Sequence, residues 1–231
     1  MTSTRTEVSE AVSHDPEFYF EDELVIFLVE RRLYRVHKYF LTRDSEFFRG
    51  MFACPPPPGE DAEGKYDTKP ITLHGVTQHE MRCLLRFFYD SMYKASITSL
   101  ADWECLLSIS TRYVFDRIRD LAISEITKQM LDPVRKITLA NKYNIPHWLP
   151  TAYLDLCKRV QPITDEEAET LGLRTLVRVA RARELAREQG YISATHRSYF
   201  PHDKIYSYND RGIMAVICEV WPECASTVAA A

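Results

Sequence analysis

Apolar residues form two short runs near the start of the chain, and charged residues separate them. Residues 24–29 are six consecutive apolar residues, residues 30–32 are Glu-Arg-Arg, and a second run follows at 33–37. Two β-type runs joined by a short charged turn predict a β-hairpin. A further short strand is predicted at residues 70–74.

After the hairpin the apolar spacing becomes helical. Two short helices are predicted at residues 38–41 and 45–52, and four consecutive prolines at 55–58 then predict an exposed loop, because proline cannot continue a helix or pair inside a sheet. Thr77 and Glu80 stand three residues apart, as in a capping box, and predict the start of a longer helix. Its apolar positions, at helical spacing, are Met81, Leu84, Leu85 and Phe88.

Helical spacing continues to about Glu188 and then fades. A second capping box, Thr164 to Glu167, predicts one long helix that ends near Glu188. Residues 191–231 show no clear period and are predicted to form an irregular tail. Four helices are predicted ahead of the capping box at Thr164. They begin near Ser99, near Asp116, at Pro133 behind an Asp132 N-cap, and at Pro146.

Composition limits the class of protein. The chain has 231 residues, 45% of them hydrophobic, which suits one or two globular domains. A net charge of −4 and a pI near 6.0 provide no basic field that would favour nucleic acid. Residues 1–17 are polar, so we expect a disordered leader and no secretory signal. The protein is therefore expected inside the cell, in the cytoplasm or the nucleus, with no membrane partner.

Sequence motifs for catalysis are absent. The chain has no Gly-x-Ser-x-Gly, no P-loop and no dinucleotide-binding glycine fingerprint, and its seven glycines leave little material for a phosphate-binding loop. We therefore predict that the protein is not an enzyme and takes no cofactor. The six cysteines include no Cys-x-x-Cys pair, so we expect reduced thiols, several of them buried.

The best metal candidates are His74, His79 and Cys83. His79 and Cys83 stand four residues apart on a predicted helix, so both side chains can point to one side. No fourth ligand is evident in the sequence, and Cys218 and Cys224 lack both zinc-finger spacing and a histidine partner. We therefore predict no metal site.

Three other features each have a functional and a structural interpretation. His37, at the junction of strand and helix, could be a pH-sensitive group, but a core histidine bonded to a nearby backbone group is favoured because no nucleophile lies near it in sequence. The tetraproline could bind a proline-recognising module, but a stiff surface loop is favoured. A series of arginines could bind nucleic acid, but interleaved glutamates favour a solvated helix face. This series is Arg174, Arg178, Arg181, Arg183 and Arg187.

The order of these elements resembles a known family. The hairpin, the segment 34–41 with His37, the segment 45–52, and the later helices at 84–91 and 103–123 together resemble a BTB/POZ domain. The length and the proline-rich insertion look most like the BTB-domain proteins of mushroom-forming fungi. The resemblance implies an α+β fold, with a small sheet and a helical cluster, followed by an all-α extension.

The resemblance also implies how the chain is organised and what it does. The expected domains are a BTB/POZ-like domain at 18–131, a helical extension at 132–190 and the tail. BTB domains self-associate and bind protein partners; some members are substrate adaptors of cullin-type ubiquitin ligases, and others recruit transcriptional co-repressors. Both functions stay open here. The chain departs from the family at Leu24, because members usually have there an aspartate that helps to form a charged pocket at the dimer interface.

Self-association is expected from the hairpin itself. A run of six apolar residues predicts a strand that is buried on both faces, and a small domain has difficulty in covering both. A second copy of the chain could cover one of them. We therefore predict a homodimer, with Leu24, Phe27 and Tyr39 at the self-association surface.

Overall fold

The structure is a computed structural model that describes residues 23–90, 97, 99–196 and 204–229. It divides into two compact units, residues 1–126 and residues 127–231. In the first unit the elements are β1 (Leu24–Val29), β2 (Arg32–His37), α1 (Lys38–Asp44), α2 (Glu46–Ala53), β3 (Ile71–Thr72), α3 (Gln78–Asp90), α4 (Leu100–Arg112) and α5 (Asp116–Thr127). The predicted leader lies outside the described residues.

The hairpin predicted from the apolar pattern is present. β1 and β2 are antiparallel, with Leu24 opposite His37 and Val29 opposite Arg32. Glu30, in the turn, has a φ of 54°. β3 pairs in parallel with β1, so the sheet order is β2-β1-β3 and β1 is the central strand. That central position explains why β1 is apolar throughout.

α3 runs along the hairpin from one end to the other. Its predicted capping box is formed: the Thr77 backbone N–H donates to the Glu80 carboxylate (2.8 Å), and the Glu80 N–H donates to the Thr77 hydroxyl (3.2 Å). The Gln78 N–H donates to the Glu30 carboxylate at the hairpin turn, and Tyr89 hydrogen-bonds His37 at the end of β2. Both ends of α3 are therefore held to the hairpin.

Aromatic side chains form the core of the first unit. Phe48 is buried, and its ring centroid lies 5.7 Å from that of Phe27 and 5.7 Å from that of Phe115. The buried Ser45 hydroxyl donates to the Tyr113 carbonyl and accepts from the Phe48 N–H, so it caps α2 inside the core. This core joins the sheet to the helices that come after it.

The second unit contains more regular structure than the sequence indicated. Its elements are α6 (Pro133–Tyr143), a 3₁₀ turn (Pro146–Trp148), α7 (Leu149–Lys158), α8 (Asp165–Leu171), α9 (Leu173–Glu188), β4 (Ile192–His196), β5 (Lys204–Tyr208), α10 (Asp210–Val220) and α11 (Pro222–Ala229). The interpretation of 191–231 as an irregular tail is wrong for the described part. The apolar run of α10 is short, and its role depends on packing against distant helices rather than on local spacing.

Side-chain caps mark where α6 and α8 of the second unit begin. The Asp132 carboxylate accepts from the Val134 and Arg135 N–H groups ahead of α6, as predicted. The predicted capping box at Thr164 and Glu167 is also present. The single long helix predicted behind it is wrong, because Gly172 has a φ of 76° and divides the segment into α8 and α9.

The core of the second unit is closed from the C-terminal side. Ile213, Val216 and Ile217 of α10 are buried, and the ring of the buried Trp221 stacks on Tyr153 of α7 at 4.1 Å between centroids. α9 contributes small buried residues, which let α7 and α10 approach it closely: Val179, Ala182 and Ala186.

The architecture is α+β, with a small sheet and a helical cluster followed by a helical region at residues 133–188. Within the described ranges, no helix combines the length and the apolar character needed to cross a bilayer.

Candidate functional site

Two of the three predicted self-association residues lie at one end of the hairpin. Leu24 opens β1 with 40% of its surface exposed, and Tyr39 is half-buried in the first turn of α1. The Lys38 N–H donates to the Glu23 carbonyl (2.9 Å), and the Lys38 ammonium pairs with the Glu23 carboxylate (2.5 Å). These contacts hold the start of β1 beside the start of α1.

Phe27, the third predicted residue, occupies a different place. It is 0% exposed and packs edge-on against Phe48 in the core. No part of Phe27 can reach a partner in this conformation, so its assignment to a surface is corrected. The alternating direction of side chains along a strand explains the difference, since Leu24 and Phe27 point to opposite faces of β1.

We expected a second copy of the chain to cover one face of β1, but the unit itself buries most of this strand. β2 and β3 take both of its edges, and most of its residues, Val25 to Phe27 and Val29, are buried within the unit itself. A second copy of the chain is therefore not needed to cover the strand as a whole. Within β1, Leu24 is the residue that stays exposed.

Aromatic side chains surround this end of the hairpin. The half-buried ring of Phe40 lies 5.1 Å from Tyr89 and 5.3 Å from Phe88, centroid to centroid, and contacts His37 edge-on. Tyr89 is 42% exposed. We call the set Leu24, His37, Tyr39, Phe40 and Tyr89 the hairpin-end surface.

His37 belongs to this surface rather than to the core. The side chain is exposed, and its Nδ1 lies 2.8 Å from the Tyr89 hydroxyl, which also accepts from the His37 backbone N–H (3.0 Å). The interpretation of His37 as a core histidine is therefore wrong. The sequence left the burial of His37 open, because this residue ends a strand and the packing of the elements that follow determines whether its side chain is covered.

The proline-rich loop encloses a small pocket. Its prolines are exposed, as predicted for a surface loop. The Lys69 ammonium fixes the loop by binding the Glu60 carboxylate (2.7 Å) and the Asp61 carbonyl (3.0 Å). The pocket behind it has a volume of about 270 Å³, and its apolar lining includes Met51, Phe52, Pro56, Pro57 and Ile71.

The group of candidate metal ligands in the structure differs from the group that the sequence suggested. His79 and Cys83 come together on α3 as their spacing predicted, whereas His74 is not part of the group. Cys105, on α4, takes its place beside them. Sequence reasoning missed Cys105 because the packing of two helices brings it near, and no local spacing encodes that packing.

The other candidate residues are spread over the second unit. The pKa of the buried Cys224 thiol is raised to about 11 by burial, so it is a protonated apolar residue at neutral pH. In the arginine series, Arg178 pairs with Glu223 of α11 (2.7 Å), and Arg183 donates to the Arg159 carbonyl (2.7 Å). These contacts join elements of the unit and give part of the series a packing role.

Comparison with known proteins agrees with the fold. None of the curated proteins compared with the chain matches it. Residues 23–130, just under half of the chain, match the family model described as BTB/POZ domain. The matched span contains the sheet and helices α1 to α5, which include the hairpin-end surface. The chain thus contains a BTB/POZ domain, which is a protein–protein interaction module.

Proposed function

We propose that this chain is a self-associating scaffold, and that it serves as a substrate adaptor of a cullin-type ubiquitin ligase. The observation that supports self-association is the hairpin-end surface. It gathers partly exposed aliphatic and aromatic side chains within a rim of charged residues, Glu23, Lys38 and Arg43. Apolar patches with a polar rim are typical of protein interfaces, and Tyr and Leu there can be buried without leaving a charge desolvated.

The two exposed leucines of the hairpin provide a matched test of this surface. Leu24 and Leu33 are 40% and 43% exposed, point to the same face of the sheet, and lie at opposite ends of the hairpin. Leu24→Glu should weaken self-association at least about tenfold, because one buried interface side chain is worth roughly 1.4 kcal/mol or more. Leu33→Glu should leave it unchanged.

Sedimentation equilibrium of both variants beside the unaltered full chain measures the effect. Because both leucines are exposed, neither change should alter the fold, which circular dichroism checks. Equal weakening by the two variants, or no weakening by Leu24→Glu, would place the interface elsewhere.

The adaptor role rests on the helical unit that succeeds the BTB/POZ domain. α6 begins at Pro133, within a few residues of the matched span, and leads into a compact helical unit. In the BTB/POZ family, helical extensions often follow the domain in members that act as cullin adaptors. An intracellular location, in the cytoplasm or the nucleus, is part of the proposal, and the free thiols of all six cysteines suit it.

Affinity capture from the host's own lysate tests this role separately. The full chain should recover a cullin-type scaffold in stoichiometric amount by mass spectrometry. Recovery of the chain alone, or of chromatin proteins and co-repressors, would reject the adaptor role. The second outcome would favour a transcription or chromatin co-factor instead, and imaging of a tagged chain would then show it in the nucleus.

A further inference from the structure

Four metal-binding side chains converge between α3 and α4. His79 and Cys83 stand at i and i+4 on α3, and Asp102 and Cys105 stand at i and i+3 on α4. Each spacing places two side chains on one face of its helix. The ligand atoms of His79, Cys83 and Cys105 lie within 4.8 Å of one another. Asp102 joins them through its Oδ1, which is 3.4 Å from the His79 Nε2.

The distances between these atoms match a tetrahedral zinc site. The Cys83 Sγ is 3.8 Å from the His79 Nε2 and 3.4 Å from the Asp102 Oδ1. With Zn–S bonds of about 2.3 Å and Zn–N or Zn–O bonds of about 2.0 Å, the ligand atoms of a tetrahedral site stand roughly 3.3–3.8 Å apart. Three ligand pairs therefore already have the required spacing, and the Cys105 Sγ lies within 4.8 Å of the ligand atoms of His79 and Cys83.

The surroundings of the cluster suit a bound cation. The Ser99 hydroxyl donates to Oδ2 of Asp102 (2.7 Å), which orients the carboxylate and leaves Oδ1 directed at the cluster. Such an outer hydrogen bond is the usual support of a metal-binding carboxylate.

The ligands are buried to different degrees. Cys83 is fully buried and the Asp102 side chain is 17% exposed, whereas the His79 side chain is 55% exposed. An ion can therefore enter past His79.

We infer that His79, Cys83, Asp102 and Cys105 bind one zinc ion, which joins α3 to α4 within the BTB/POZ domain. Four protein ligands leave no open coordination position, so the site is structural rather than catalytic. Two thiolates, a carboxylate and a neutral imidazole form a ligand set that zinc accepts, and thiolate ligands disfavour magnesium and calcium. The site does not depend on the partners proposed above.

Metal analysis of the full chain, purified without a polyhistidine tag and under reducing conditions, tests the inference. The expected result is one zinc ion per chain after equilibration with zinc and dialysis. Cys105→Ser should lose zinc affinity by more than the roughly 10–100-fold that loss of an outer hydrogen-bond partner costs. His79→Gln should behave in the same way, and the exposed Cys54 provides the matched control, since Cys54→Ser should keep the metal.

Cobalt substitution gives an independent readout. The cobalt-loaded chain should show tetrahedral ligand-field bands and thiolate-to-cobalt charge transfer, and Cys105→Ser should lose about half of the charge-transfer intensity, since it removes one of two thiolates. Cys105 and His79 are partly exposed, so their variants should fold even if Cys83→Ser does not. Three results would overturn the inference: no zinc bound by the reduced chain, equal zinc in Cys105→Ser, or a Cys83–Cys105 disulfide that forms in place of zinc binding.

Discussion

The first unit builds its core from large aromatic residues, whereas the second unit packs small residues of α9 against α10 and the segment that contains Trp221. Phe48 contacts the sheet and the later helices from within α2. In the second unit, α9 contributes alanines, and α10 and Trp221 close the interior over them. Large aromatic residues stand out in the sequence as candidates for a core, whereas the small residues of α9 become core residues only through the packing of other helices against them.

The largest expected effects come from removing one central side chain in each unit. Trp221→Ala and Phe48→Ala should each cost about 3–5 kcal/mol of unfolding free energy, because both side chains are fully buried and leave a cavity. Amide hydrogen exchange should show that each substitution destabilises its own unit. Trp221→Ala should raise exchange in α7 and α9, and Phe48→Ala should raise exchange in β1 and α2. If either variant raised exchange equally in both units, the chain would have a single cooperative core.

Two helical glycines, one in each unit, make a closer comparison. An added Cβ at Gly212 in α10 would lie 2.5 Å from the Tyr191 ring, whereas one at Gly50 in α2 would meet nothing within 4 Å. Gly212→Ala should therefore cost about 1–3 kcal/mol through overpacking. Gly50→Ala should instead stabilise the chain by roughly 0.5–1 kcal/mol. Urea unfolding of both variants measures the difference, and stabilisation by Gly212→Ala would show that Tyr191 does not pack against α10.

The smallest expected effect concerns an ion pair in the second unit. Two guanidinium nitrogens of Arg159 bind the Glu167 carboxylate at 2.6 and 2.5 Å and lower its pKa to about 2, aided by the Thr164 N–H. The stabilisation is complete above the unfolded pKa of 4.5 and is lost as the pH falls towards 2. Because the pair is near the surface, we expect about 1 kcal/mol.

Glu167→Gln should remove this contribution while keeping a capping side chain for α8. Unfolding free energies at pH 7 and pH 3, with the exposed Glu169→Gln as control, measure the effect. The difference from the unaltered chain should shrink at the lower pH. A difference that is constant with pH would mean that the ion pair contributes nothing.

The local elements of the fold could be predicted from the sequence because local chemistry determines them. The hairpin results from two apolar runs around a charged turn, and both capping boxes result from Thr and Glu three residues apart. The start of α6 is set by Asp132 ahead of a proline. Each of these signals acts within a few residues and needs no tertiary contact.

Features that depend on packing could not be predicted in the same way. The exposure of His37 depends on where α3 ends, and the burial of Phe27 depends on which face of β1 meets Phe48. The break at Gly172 requires a left-handed backbone that glycine permits but does not impose. At the metal cluster, the α3 pair was visible as a local spacing, whereas Cys105 joins it only through helix packing.

The measurement that tests the central claim most directly is the mass of the full chain in solution by light scattering, over a range of micromolar concentrations. If the chain self-associates through the hairpin end, light scattering should show a species of twice the 26.9-kDa chain mass. This species should dissociate on dilution, and the Leu24→Glu substitution should weaken it. A single 26.9-kDa species at every concentration would contradict self-association through the hairpin end.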